Sequence, residues 1–281
     1  MEFLLEPFAF EFFRNGTLAA VLAGALCGMV GVYIVLRGMS YIGHGLSHAI
    51  FGGAVVSFVL QWNFYLGAGL WGFLAALLIN QTVRRTKIPA DAAIGVITTA
   101  SFAVGVALIS RYRGFTRSFD AALFGNILGV TRQDVWIVAG VGVAAAAAIF
   151  FLYKQLLFTT FDPEVAQVYG VRTEWVDTAF ALILASVLIV SMQILGVTLI
   201  AAALVTPAII ARLLTDSFNR MILLSTAIGG LTGFGGMYLS FYVDVASGAT
   251  IVLLQATVFV VVLAVMALRN QAGKRLVAFD V

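Results

Sequence analysis

The sequence predicts an all-α integral membrane protein with about nine membrane-spanning helices. Three observations predict it. Of the 281 residues, 62% are hydrophobic and only 10% are charged, against about 25% charged in a typical soluble domain, too few to clothe a water-facing surface. The mean hydropathy is +1.06. The apolar residues also fall into runs of about 20, the length a helix needs to cross a bilayer at ~1.5 Å per residue. These runs are too long for barrel strands and lack their two-residue alternation.

In chain order the runs are 17–36, 41–60, 65–83, 92–110, 134–153, 175–194, 196–213, 220–241 and 248–268. They form one membrane domain, 17–268, with no soluble domain. Ahead of it, residues 1–16 carry acids but no basic n-region, so they read as an interfacial amphipathic stretch and not as a cleavable signal peptide. Behind it lies a basic tail, 269–281. Basic residues favour the cytoplasmic side. With the tail inside, Arg37, Arg84, Arg85, Lys87, Lys154, Arg172, Arg212, Arg220, Arg269, Lys274 and Arg275 lie inside, and five of the 16 basic residues lie outside. The expected N-terminus is therefore external. The single cysteine, Cys27, cannot form an intrachain disulfide and reads as inert packing. Glycines such as Gly229 and Gly233, four apart, suit close helix packing in lipid.

Two connections are too long for tight turns. The external 111–133 has an apolar centre, AALFGNILGV (121–130), expected to lie as a short helix at the interface. The internal 154–174 has a helix start. Asp162 can cap, Pro163 suits the first helical position, Glu164 complements the helix dipole, and Gly170 ends the helix. A short helix is therefore expected at about 163–169, along the inner face. No G-x-x-x-x-G-K-[ST] loop occurs, which excludes ATP hydrolysis by that route.

The two histidines, His44 and His48, are the only ones in the chain. Four apart on a helix, they share a face and can hold a divalent transition metal together. The alternative is that each ring satisfies a nearby carbonyl and only helps packing. A zinc protease would need a glutamate directly after the first histidine, and Gly45 stands there. A second polar cluster, Gln193, Thr198, Thr206 and Pro207, interrupts the run 191–214. It reads equally as a pore-lining or gating helix or as a packing kink at Pro207.

Four segments together resemble the membrane permeases of zinc- and manganese-importing ABC transporters. They are Arg37 followed by MSYIGHGLSHA, LFGNILGV (123–130), FDPEVAQVYG (161–170) and GVTLIAAALVTPA (196–208). The resemblance covers roughly 15–268. It implies a permease fold related to the cobalamin and siderophore importers, in a prokaryotic cytoplasmic membrane. It implies a second permease copy, two cytoplasmic ATP-binding subunits and an external metal-binding protein as partners, with no nucleic acid. Zn²⁺ or Mn²⁺, possible iron included, would be transported substrate, with no tightly bound cofactor and no catalysis by this subunit. The helix at 162–170 would couple to the ATPase through Asp162, Glu164 and Gly170. His44 and His48 would contact metal, and Ser47, Gln193, Thr206 and Pro207 would line the pore or gate. The family usually has Asp where His44 stands, which tilts the pair toward zinc. The competing class is a stand-alone secondary metal carrier, against which the near absence of acids within the spans argues.

Overall fold

A computed structural model describes residues 6–112, 123–125 and 127–277, and among them there is no strand. The helices are α1 (Glu11–Leu36), α2 (Ser40–Val59), α3 (Phe64–Arg85), α4 (Ala90–Arg111), α5 (Arg132–Phe151), α6 (Tyr153–Phe161), α7 (Pro163–Val168), α8 (Thr173–Leu195), α9 (Ile200–Leu214), α10 (Phe218–Val243) and α11 (Ser247–Val277). Eight of these, α1–α5, α8, α10 and α11, are long and apolar enough to span a membrane. Each expected run thus falls on a helix, with two shifts. Helix α1 begins at Glu11, after a 3₁₀ turn over Glu6–Ala9, because Phe8 and Phe13 pack edge to face and Phe13 meets Phe241 of α10. The seventh run does not start its helix at 196. Helix α9 starts at Ile200 and has 15 residues, about 22 Å at ~1.5 Å per residue, short of the ~30 Å hydrocarbon layer. Of the interfacial helix expected over 121–130, Ala121, Ala122 and Asn126 lie outside the described residues. Ile127–Gly129 forms a 3₁₀ turn.

Close glycine packing joins α1 to α10. A Cβ on Gly24 would lie 2.2 Å from the Gly229 carbonyl oxygen, and one on Gly233 would lie 2.4 Å from the Ala20 oxygen. Backbones this near leave room only for hydrogen, as the glycine spacing predicted. The Ser225 hydroxyl donates to the Gly28 carbonyl at 2.5 Å across the same seam. Helices α9 and α11 extend this group. Helices α2, α3 and α4 pack mainly on one another, and α8 lies between the two groups, touching α1, α2, α3 and α5. The apolar core therefore centres on α1, α2 and α8, while α4, α5 and α11 turn most of their surface outward, as lipid-facing helices do.

Candidate metal path and its supports

His44 and His48 lie on the second and third turns of α2. Their Nε2 atoms are 3.3 Å apart, and the rings meet edge to face with centroids 4.6 Å apart. Tyr41 flanks His44, and Phe102 of α4 packs against His48 with centroids 4.9 Å apart. Both histidines are half-buried. Two nitrogens bound to a tetrahedral metal at ~2.0–2.1 Å are ~3.3–3.4 Å apart, so the rings already stand at ligand separation. The 3.3 Å contact is also a hydrogen bond between the two rings, its direction set by their tautomers, while the buried Nδ1 of His48 has no partner among the described residues. Among the described residues, no third His, Cys, Asp or Glu joins the pair.

Ser47 lies one turn after His44, about 80° round the helix from the centre of the histidine pair. It is fully buried, and its hydroxyl reaches the His44 carbonyl at 2.8 Å and the Val197 carbonyl at 3.2 Å. Val197 lies in the break between α8 and α9. The break exists because Gly196 takes φ +82°, ψ 155°, a conformation essentially confined to glycine. Leu123–Gly125 fills the space beside it. Gly125 has φ +84°, and the Leu123 carbonyl accepts from the Thr198 amide at 3.3 Å and the Thr198 hydroxyl at 2.7 Å. Non-helical backbone at membrane depth needs such internal partners. Two of the segments that suggested the family, 123–130 and 196–208, are thus in contact.

The other expected pore residues sit elsewhere. Gln193 joins Tyr65 of α3 and Asp134 of α5. The Tyr65 oxygen is 2.7 Å from Asp134 Oδ1 and 2.7 Å from Gln193 Oε1. A hydroxyl has one proton, so the consistent arrangement has Tyr65 donating to the carboxylate and the Gln193 amide turned to donate to Tyr65. This bond joins three helices at the end of the bundle opposite α7. Thr206 is half-buried and Pro207 buried within α9, and the helix runs through both.

The expected short helix is present as α7. The Asp162 carboxylate accepts from the Val165 amide at 2.9 Å, Pro163 is its first residue, and Gly170 ends the turn with φ +81°. Val168 and Tyr169 are 85% and 76% exposed, an apolar pair turned away from the bundle.

Beside α7 lies an ion cluster that the sequence reading did not assemble. Arg37, in the turn after α1, donates from Nη1 to Asp177 Oδ1 of α8 at 2.8 Å. It donates from Nε to Thr160 at 3.0 Å and from Nη2 to Thr159 at 2.9 Å. Its guanidinium also lies 4.6 Å from the Phe180 ring centre. Arg84 of α3 pairs with the other Asp177 oxygen. Burial lowers the Arg37 pKa below the usual arginine value, a shift the neighbouring Asp177 offsets only in part, and the guanidinium stays charged. The cluster lines a cavity of about 490 Å³, with Ile42, Leu46, Ile79 and Leu184 among its apolar walls. In the sequence Arg37 stood as an inner-side charge and as the head of the segment MSYIGHGLSHA, with no partner assigned. The signal for the cluster is Asp177, the one acid within the apolar run 175–194.

Comparisons with known proteins agree on one group. The ABC 3 transport family matches residues 9–266. The chain is 36% identical over 257 residues to the manganese transport system membrane protein MntC of Halalkalibacterium halodurans, covering 92% of this chain and 88% of that one. It is 39% identical over 260 residues to the manganese import system permease protein ScaB of Streptococcus gordonii, covering 92% and 93%. The solved structure of PsaBC from Streptococcus pneumoniae in complex with Fab superposes with a TM-score of 0.83 at 36% identity, covering 92% of this chain and 94% of that one.

Proposed function

Because the chain belongs to the ABC 3 transport family, we propose that it is the membrane permease of an ATP-driven importer of divalent transition-metal ions, manganese or zinc. It is a multi-pass protein of a bacterial cytoplasmic membrane. The observation that carries the metal reading is the His44–His48 pair, with nitrogens 3.3 Å apart. A cation passing α2 meets two imidazoles whose nitrogens already stand at ligand separation. With no third ligand from the described residues, water or a second copy of the chain completes the coordination. That favours passage over storage.

The names of the relatives favour manganese, while the imidazole pair suits zinc as well. The assembly we propose has two permease copies, two cytoplasmic ATP-binding subunits and an external metal-binding protein. Helix α7 seats on the ATPase through its exposed edge, with Asp162 holding its first turn, Glu164 at its start and Gly170 closing it. Ser47 holds the helix break, and Thr206 and Pro207 shape the wall of α9. Gln193 ties the external end. Membership of the family argues against the stand-alone carrier.

Uptake of labelled Mn²⁺, Zn²⁺ and Fe²⁺ by the complete complex, in competition, tests the proposal. ATP-dependent uptake of one or more of them is expected. A complex that hydrolyses ATP and imports none of the three sinks it.

A further inference from the structure

Any motion of α7 must leave it through its neighbours. Helix α7 packs substantially on only α6 and α8. Arg37 grips both. Thr159 and Thr160 are in the last turn of α6, and Asp177 is in the second turn of α8. The polarity of the grip is fixed. The Thr160 hydroxyl donates to the Leu156 carbonyl at 2.6 Å, and that of Thr159 donates to the Gln155 carbonyl at 3.0 Å. Both oxygens are therefore left as acceptors for the guanidinium. Three of the guanidinium's nitrogens are bonded, the side chain is 9% exposed, and one face lies on Phe180.

On its other side, Arg37 is three residues from the start of α2. The turn between is rigid. Arg37, Gly38 and Met39 donate their amides back to the Tyr33, Val35 and Ile34 carbonyls, and Gly38 has φ +66°. His44 follows on the second turn of α2. Helix α2 makes few contacts with α1, its neighbour in sequence, and packs directly on α8; the turn adds the link from its near end to α6 and to Asp177.

We propose that Arg37 is the positioning residue that transmits displacement of α7, through α6 and α8, to the histidine-bearing helix α2. The role rests on the reading of α7 as the ATPase contact. Asp177 serves two cations at once, so Arg84 brings α3, which packs on α2, into the same joint. A planar fork bonded on three sides suits this task, and a lysine at this position could hold only part of the set.

The test uses the complete complex in vesicles and reads metal imported per ATP hydrolysed, beside co-purification of the ATPase. Arg37→Gln should retain co-purification and ATP hydrolysis while import per ATP falls by about tenfold or more, the usual scale of coupling between linked sites. Arg37→Lys should recover part of that loss. Thr159→Val with Thr160→Val removes the two acceptors, along with their hydroxyl donations to the Gln155 and Leu156 carbonyls, at nearly constant volume. It covers the case in which Arg37→Gln fails to fold, and it should lower the same ratio about threefold or more. A wild-type ratio in either the Arg37→Gln or the double-valine complex overturns the proposal. So does a parallel fall in import, ATPase binding and folded yield in both, because that marks Arg37 as merely structural. Failure of the α7 reading is distinguishable. Glu164→Lys would then leave ATPase binding unchanged, whatever Arg37 does.

Discussion

The break between α8 and α9 gives the sharpest quantitative test. Replacing Gly196 by alanine adds one methyl to a residue at φ +82°, ψ 155°. Holding a non-glycine residue in such a region costs about 1–3 kcal/mol. The methyl would also lie 2.4 Å from the Leu123 oxygen, 2.5 Å from the Gly125 nitrogen and 2.6 Å from the Phe124 carbonyl carbon. All three are backbone atoms, so segment 123–125 must retreat. Retreat gives up both Thr198 bonds to Leu123, each worth about 0.5–1.5 kcal/mol. The sum is about 2–6 kcal/mol. At ~2–4 °C per kcal/mol for a large domain, its midpoint is a fall of about 8–16 °C in Tm. Thermal unfolding of the purified protein measures this, with deuterium exchange at the Thr198 amide reporting the local contact. Gly95→Ala is the control, because a Cβ there meets nothing within 4 Å and alanine is favoured in a helix interior by up to ~1 kcal/mol. A Gly196→Ala protein that melts with wild type and keeps its Thr198 protection refutes the reasoning.

Three further outcomes are expected. His48→Ala should reduce metal uptake by about tenfold or more, in the range for weakened metal ligation, with ATPase co-purification intact; wild-type uptake by that variant removes the histidines from the path. Glu164→Lys reverses the charge at the start of α7, where an acid contributes about 0.3–1 kcal/mol, and should weaken ATPase co-purification. Gly229→Val pushes its side chain into the Gly24 carbonyl, 2.1 Å from where even a Cβ would sit; overpacking of this kind costs about 1–3 kcal/mol, read as a lower Tm.

Local signals were legible in the sequence, and long-range ones were not. Asp162, Pro163, Glu164 and Gly170 gave α7 to within a residue, because capping is decided by neighbours in the chain. The spacing of His44 and His48 likewise gave their shared face. Gly196 and Thr198 stood in plain view, yet hydropathy merged them into the run 196–213. A hydropathy window averages over the one residue whose φ decides where the helix stops. Gln193 and Thr206 looked like members of one polar stretch, but the break turns the two helices apart, and Gln193 finds Tyr65, 128 positions away. Arg37 and Asp177 are 140 positions apart, and no local rule pairs them.

Adjoining parts of the α2 surface make different contacts. The two imidazoles meet each other, and Ser47, one turn after His44, bonds the Val197 carbonyl in the break. A closed four-ligand zinc site binds with about 10–16 kcal/mol, and at that strength release would be far slower than any useful transport. An imidazole pair without further ligands from the described residues avoids that trap, provided the other ligands can be added and removed. On the proposed reading, movement of α2 would do both, shifting the histidines and, through the Ser47 bond to Val197, the break. The Arg37 turn, three residues before α2, would then be where a displacement of α7 enters that helix.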